Sequence, residues 1–195
     1  MSNKRVVITG LGILSPVGNN IEDSWKNILK GNSSVKDIPY FDTTNFETKF
    51  AASLTNFNPK NYLESKEIRR LDPFVQYGVA VSKDCLVDSG IDLNTVDLTR
   101  IGVSLGSGIG GLGTIQKNSM ILNNFGNKKI SPFFVPGSII NMVSGYVSIK
   151  FGLKGPNFSI TTACSSASHS IGYSYRSILY GDADLMLAGG AEMGI

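Results

Sequence analysis

Side-chain chemistry is concentrated in Ser159-Ile160-Thr161-Thr162-Ala163-Cys164-Ser165-Ser166-Ala167-Ser168-His169. A β-branched segment runs into small residues, a thiol stands at the join, and a helical pattern follows. A cysteine at a helix N-terminus feels the positive end of the macrodipole and several unpaired N–H groups, and both favour the thiolate. Ala163, Ser165 and Ser166 are small enough to leave the sulfur open to a substrate. The competing reading is a small buried cysteine, since free Cys is among the most buried residue types; the strand-to-helix setting weighs against it. Nucleophilic catalysis by Cys usually needs a base in hydrogen-bond reach. The only histidine is His169, and at about 100° per residue it lies about 140° around the helix axis from Cys164. His169 is therefore read as structural. Either the helix dipole activates the thiol alone, or the remaining acid–base groups come from another chain segment. A self-contained Cys–His–Asp hydrolase is disfavoured.

Gly106-Ser107-Gly108-Ile109-Gly110-Gly111 follows an apolar strand-like run and satisfies the G-x-G-x-x-G outline of a dinucleotide loop. The remainder of that fingerprint is missing. No Asp or Glu occurs between Asp97 and Asp182 to bind a ribose, and Lys117 lies well beyond the glycines. The glycines are assigned to a backbone turn that passes close to something else, and a nicotinamide-binding domain is disfavoured. Cys85 recurs with Phe74, Tyr77 and Val81 at helical spacing and is placed on a core face. Lys66, Arg69 and Arg70 form a small cationic cluster, for which a solvated surface is the first reading. Phe133 and Phe134 lie in a stiff aromatic segment, Ser131-Pro132-Phe133-Phe134-Val135-Pro136, and read equally as core or pocket wall.

The positioning elements follow from periodicity and punctuation. Residues 4–9 read as a central strand closed by Gly10-Leu11-Gly12. Asn20 caps a helix over 22–30, with Ile21, Trp25, Ile28 and Leu29 on one face and Gly31 ending it. Residues 31–58 are loop-like, with a short strand near 50–54. Asp72 as N-cap and Pro73 at the first helical position start a helix that runs to about Ser89. Residues 101–105 read as a buried strand, 139–151 as a helix closed by Gly152, and 157–162 as the strand entering Cys164. The next helix carries Ile171, Tyr175 and Ile178 on one stripe and ends near Gly181, and 184–188 form a last strand. Strands alternating with longer helices argue an α/β architecture with a mostly parallel or mixed sheet. With no linker or internal repeat, residues 1–195 are expected to be a single domain.

The chain is 42% hydrophobic and 17% charged, with a net charge of +3, a balance too mild for a nucleic-acid partner. Gly10, Gly12 and Pro16 interrupt the apolar N-terminal run, so a signal peptide is rejected, and no run is long enough to span a bilayer. Cys85 and Cys164 fit a reducing compartment and give no metal-ligand spacing. The expectation is a cytoplasmic protein without metal, cofactor, nucleic acid or membrane contact.

Together with Val6-Val7-Ile8-Thr9-Gly10-Leu11-Gly12, Gly155-Pro156, Gly181-Asp182-Ala183-Asp184 and Gly189-Gly190-Ala191-Glu192, these motifs occur in an order that resembles the N-terminal half of a β-ketoacyl-[acyl-carrier-protein] synthase. The resemblance is to the type II elongating condensing enzymes of bacteria. It implies a thiolase-like α/β fold: two duplicated halves in α-β-α-β-α layers, within a homodimer. This chain would supply one half, a mixed five-stranded sheet with helices on both faces, and the C-terminal half would be absent. That other half carries the family's two catalytic histidines, its catalytic lysine and a gating phenylalanine. By the same resemblance Cys164 is the acyl-accepting nucleophile and its backbone N–H an oxyanion donor. Ile109 lines the acyl-chain pocket, and Phe134 reaches that pocket from the partner subunit. Lys66, Arg69 and Arg70 dock the acidic acyl carrier protein, and the strand around 158–161 pairs across the two-fold axis. The implied activity is fatty-acid chain elongation: acyl transfer from acyl carrier protein to the thiol, then decarboxylative condensation with malonyl-acyl carrier protein to give the 3-oxoacyl product. A rival of another class is a non-catalytic subunit that sets chain length or binds carrier protein; such relatives usually lack the nucleophile. One half alone is expected to be inactive in condensation and to expose apolar surface on its inner helices, including the one after Cys164.

Overall fold

The computed structural model of the chain describes residues 5–194. In order, the elements are α1 (Ile21–Leu29), β1 (Val35–Asp37), β2 (Phe50–Ala52), α2 (Ser65–Ile68), α3 (Pro73–Asp88), β3 (Ile101–Gly106), α4 (Leu112–Phe125), α5 (Phe134–Ser138), α6 (Met142–Phe151), β4 (Asn157–Phe158), α7 (Ser166–Tyr180) and β5 (Leu185–Gly190). The helix boundaries follow the expected punctuation. Asn20 accepts from the Asp23 amide to cap α1, and Asp72 accepts from the Phe74 amide to cap α3. The left-handed Gly181 (φ 87°) closes α7.

β3 is the centre of a parallel sheet of order β4-β3-β5, paired with β5 from Ile101↔Leu185 to Gly106↔Gly190. Side chains alternate across a strand, and here the alternation separates two kinds of packing. Ile101, Val103 and Leu105 enter the core with Phe74, Val75 and Val79 of α3 and Val143 and Val147 of α6. The other face of β3 carries Gly102, Ser104 and Gly106 and receives α7. Arg100 fixes the start of this register. Its guanidinium donates to both Asp184 carboxylate oxygens at 3.2 Å and to the Gly181 and Asp182 carbonyls at 2.7 and 3.1 Å.

The expected α/β unit with helices on both faces therefore forms, but its strands divide differently from the single mixed five-stranded sheet. β1 and β2 make a separate antiparallel hairpin, Val35↔Ala52 to Asp37↔Phe50, of three-residue strands too exposed to join the core. Residues 5–9 have no ladder partner among the described residues, with Val7 and Ile8 largely in solvent; Lys4 lies outside the described residues. The reason is visible next to them. Gly10 and Gly12 seat the chain directly on α3, where an added Cβ would collide with the Cys85 and Val81 carbonyls, and the Leu11 amide donates to Asp88 at 2.8 Å. A helix, not a strand, holds this segment.

Two helices turn apolar residues outward. α1 buries only Ser24, while Trp25, Ile28 and Leu29 point outward. α7 buries its serine stripe, Ser166, Ser170 and Ser174, against the sheet. Its apolar residues Ile171 and Tyr175 remain 51% and 48% exposed, in line with the apolar exposure expected on this helix. Small residues on both sides permit this close approach: a Cβ on Gly190 would sit 2.9 Å from the Ala167 Cβ. α3 is buried nearly all round, and Cys85 is half-buried against the core, where burial and then nearby Asp88 push its thiol pKa up.

α2 is too short to be stable alone, and Glu67 braces it. Its carboxylate accepts from the Glu64 amide at 2.6 Å, from the Tyr146 hydroxyl at 2.6 Å and from Lys150 Nζ at 2.9 and 3.0 Å. Burial opposes the charge, but the Tyr146, Glu64 and Lys150 contacts outweigh it and hold Glu67 below its ordinary value of 4.5. A carboxylate with a lowered folded pKa contributes stability that is complete above the unfolded value and disappears as pH falls through the folded one. Glu67→Gln is expected to cost about 2 kcal/mol at neutral pH. Denaturant unfolding of wild type and variant should converge as pH falls through the lowered folded-state pKa of Glu67; a pH-independent difference would contradict this account.

Candidate active site

Cys164 stands two residues before α7, and its thiol is free and exposed. The residue before it, Ala163, is in the left-handed region at φ 52°. That conformation costs a non-glycine residue about 1–2 kcal/mol, and strain of this kind persists only where the surroundings over-determine it. Here a hydrogen-bond net does so. The Thr162 amide donates to Ser166 Oγ at 2.9 Å, and Ser166 Oγ donates to the Ala163 carbonyl at 2.7 Å. Ser165 Oγ donates to the Thr162 carbonyl at 2.7 Å, and the Ser165 and Ser166 amides turn back onto residues 162 and 163. The net holds the neighbours of Cys164 and, among the described residues, makes no bond to its sulfur. His169 Nδ1 is 2.7 Å from the Thr162 hydroxyl, so the only histidine belongs to this supporting net, in agreement with its expected structural role.

The glycine loop after β3 lies against the same turn, which identifies what the glycines approach. A Cβ on Gly106 would meet the Ile160 carbonyl oxygen at 2.6 Å and the Ser166 carbonyl oxygen at 2.8 Å; one on Gly108 would reach Ala163 at 3.5 Å. The loop's donors are already occupied. The Gly108 and Ile109 amides donate to Glu192 Oε2 at 2.5 and 3.0 Å, Ser107 Oγ donates to Oε1 at 3.1 Å, and the Gly110 amide donates to Ser107 Oγ at 3.1 Å. Successive amides of this kind form an anion-binding nest, and the chain fills it with its own carboxylate. This is the physical reason that the G-x-G-x-x-G outline does not make a phosphate site here.

Ile109 is half-exposed at the tip of this loop, and Phe134 is half-buried at the start of α5. Their segments are joined, since the Gly111 amide donates to the Ser138 carbonyl at 2.9 Å. Lys66, Arg69 and Arg70 are gathered on α2 and the turn after it, all exposed. Lys66 pairs with Glu64 at 3.2 Å in solvent, and the Arg70 guanidinium lies 4.0 Å over the Phe133 ring, which links the cationic cluster to α5. Asp72 ties the same region together. It accepts from the Phe74 amide of α3 and the Thr114 amide of α4, while its own amide donates to the Gly137 carbonyl of α5. Sequence reasoning gave Asp72 only the α3 cap, and it quoted Glu192 without a role. Their second partners come from residues 42 and more than 80 positions away, which no local pattern encodes.

A cavity of about 340 Å³ is lined by Tyr40, Tyr77, Glu192 and Met193 among others and by no residue of 159–169. It is not the thiol's site. Among the described residues, no group of three or more His, Cys, Asp or Glu gathers in one place, and no helix is long and apolar enough to cross a membrane.

Comparison with known proteins agrees with this geometry. Residues 3–195 match the sequence profile described as "Beta-ketoacyl synthase, N-terminal domain". The chain is 51% identical over 192 residues to 3-oxoacyl-[acyl-carrier-protein] synthase 2 of Vibrio cholerae, covering 98% of this chain and 46% of that protein. It is 50% identical over 193 residues to the enzyme of the same name from Coxiella burnetii, covering 99% and 47%. The chain thus spans about half the length of the curated relatives it matches. Among solved structures, a type II polyketide acyl-carrier protein in complex with its ketosynthase bound to the hexaketide superposes with a TM-score of 0.86 at 25% identity, over 98% of this chain and 51% of that one. A beta-ketoacyl synthase from Burkholderia phymatum superposes with a TM-score of 0.82 at 29% identity, over 95% and 46%. These neighbours share the thiolase-like fold expected from the sequence.

Proposed function

The chain belongs to the beta-ketoacyl synthase family, whose N-terminal domain it carries, and from that premise we propose that it supplies the acyl-accepting half of a fatty-acid-elongating synthase. The observation that carries this reading is the exposed Cys164 thiol on a strained turn, its neighbours held by hydrogen bonds and its sulfur left free. Cys164 attacks the carbonyl carbon of an acyl thioester on carrier-protein phosphopantetheine. A new carbon–sulfur bond forms, the pantetheine thiolate leaves and takes a proton, and an acyl-enzyme remains. Malonyl-carrier protein then loses its carboxylate as carbon dioxide. The carbanion so formed attacks the acyl carbonyl and expels the Cys164 thiolate, giving a 3-oxoacyl thioester two carbons longer. The Cys164 amide is assigned to the oxyanion in both steps, with a second donor from outside these residues. The decarboxylation step needs acid–base groups that these residues do not offer, His169 being engaged by Thr162. We assign it to the portion corresponding to the other half of the relatives' length.

Ile109 is assigned to the acyl pocket, Phe134 to the pocket of a partner subunit in a homodimer, and the free edge of β4 to pairing across that dimer. A cytoplasmic setting fits the two free cysteines. The rival reading, a non-catalytic chain-length or carrier-binding subunit, has no use for an exposed, unencumbered thiol at this turn.

The exposed cluster of Lys66, Arg69 and Arg70 is assigned to the acidic carrier protein. Reversing these charges together is expected to raise KM for acyl-carrier protein by about 10-fold or more while moving the reaction of a small acyl-pantetheine far less, with the difference shrinking at high salt. The function itself is tested by incubating the full-length protein with acyl- and malonyl-carrier protein and following the product by mass spectrometry. A folded protein that forms neither the acyl-enzyme nor the 3-oxoacyl thioester would end this reading.

A further inference from the structure

Glu192 lies just past the end of β5, where the Ala191 amide still donates to the Gly106 carbonyl at 3.0 Å and continues the ladder. Its side chain therefore projects from a fixed strand end beneath the loop that connects β3 to α4. Every polar contact the structure gives its carboxylate comes from that loop: Ser107 Oγ–H at 3.1 Å on Oε1, and the Gly108 and Ile109 N–H groups at 2.5 and 3.0 Å on Oε2. Bonds from amides to a carboxylate are charge-assisted and about twice as strong as neutral ones. Ala163, the residue before Cys164, adjoins the same part of the loop: a Cβ on Gly108 would meet Glu192 Oε2 at 3.1 Å and Ala163 at 3.5 Å.

We propose that Glu192 is a positioning residue that holds the Gly108–Ile109 turn against the Cys164 turn and so determines which acyl-chain lengths the thiol accepts. The proposal deepens the reading of Ile109 as an acyl-pocket residue and rests on it. Ile109 contributes an amide to Glu192 and a half-exposed side chain to the site. Releasing the amide lets that side chain move. The substrate class is a long acyl thioester, because only a chain that extends past the carbonyl reaches Ile109; a two-carbon acyl group needs Cys164 alone.

The test uses the full-length protein and compares Glu192→Ala, Glu192→Gln and Ile109→Phe. Glu192→Ala is expected to speed amide hydrogen exchange across residues 107–111 by about 10-fold, and to change the ratio of long-chain to acetyl acylation rates at Cys164 by about 10-fold. Glu192→Gln keeps an acceptor oxygen for the two amides and should change both by less than about threefold. A merely structural role would lower the long and short rates together and leave the ratio unmoved. If Ile109→Phe changes the ratio and Glu192→Ala does not, the proposal is overturned and the Ile109 assignment stands. If neither variant changes it, the Ile109 assignment fails and the proposal falls with it. Unchanged exchange across 107–111 in Glu192→Ala overturns it as well. Should Glu192→Ala not fold, Ser107→Ala removes one donor to the carboxylate and the acceptor for the Gly110 amide. It is then expected to change the ratio by about threefold, and an unchanged ratio overturns the proposal.

Discussion

Cys164→Ala in the full-length protein is expected to eliminate the acyl-enzyme and to lower acyl transfer by at least about 10³-fold. No other group at the turn can take over the covalent step. The hydroxyls of Thr162, Ser165 and Ser166 are committed to the net that shapes the turn, and His169 is bonded to Thr162. The second cysteine is no substitute, since Cys85 is half-buried on α3 with its pKa raised by burial. The same substitution should leave stability within about 0.5 kcal/mol of wild type, because the sulfur is exposed and makes no hydrogen bond whose loss would be felt. Intact-mass measurement after incubation with acyl-carrier protein checks this directly: the wild type gains one acyl group, mapped to the peptide containing Cys164, and the variant gains none. An adduct that survives in the variant, or one that maps to Cys85, would remove Cys164 from the mechanism.

The features that could be read from the sequence were those whose cause is local. Caps at Asn20 and Asp72 and the left-handed glycine after α7 act within a few positions of themselves and place α1, α3 and the end of α7, whereas the strand expected over 157–162 ends at Phe158 and leaves Cys164 on a turn. The errors share one origin. The valines and isoleucine of residues 6–8 have strand chemistry, but a strand also needs a partner, and here the adjacent glycines commit the chain to the backbone of α3. An apolar helix stripe normally points to the core. α7 inverts that rule where Gly102, Ser104 and Gly106 of β3 and Ala188 and Gly190 of β5 offer mostly small residues, so the serine face approaches and the apolar face is left outside. The G-x-G-x-x-G loop illustrates the same limit. Its glycines signalled a close approach, but the carboxylate that fills the nest stands 84 positions away from Gly108.

Gly106→Ala is expected to damage stability and thiol chemistry at once. The added Cβ would lie 2.6 Å from the Ile160 oxygen, and 2.8 and 2.9 Å from the oxygen and carbon of the Ser166 carbonyl. All three are backbone atoms, so no side chain can rotate aside. Relief requires β3 to separate from the turn that carries Cys164, and β3 is the central strand, paired on both edges and packed on both faces. Overpacking of this kind costs about 3 kcal/mol, and the displacement falls on the segment whose hydrogen bonds hold Ala163 in its left-handed conformation. Stability and thiol chemistry should therefore fall together, with acyl loading of Cys164 reduced by about 10²-fold even where the protein remains folded. Gly113→Ala is the matched comparison. Gly113 lies within α4 with nothing inside 4 Å of an added Cβ, so the same substitution there should stabilise by roughly 0.5–1 kcal/mol through helix propensity. Denaturant unfolding together with the rate of Cys164 acylation separates the two cases. If Gly106→Ala were as stable and as readily acylated as Gly113→Ala, the glycine loop would not be what seats the cysteine turn.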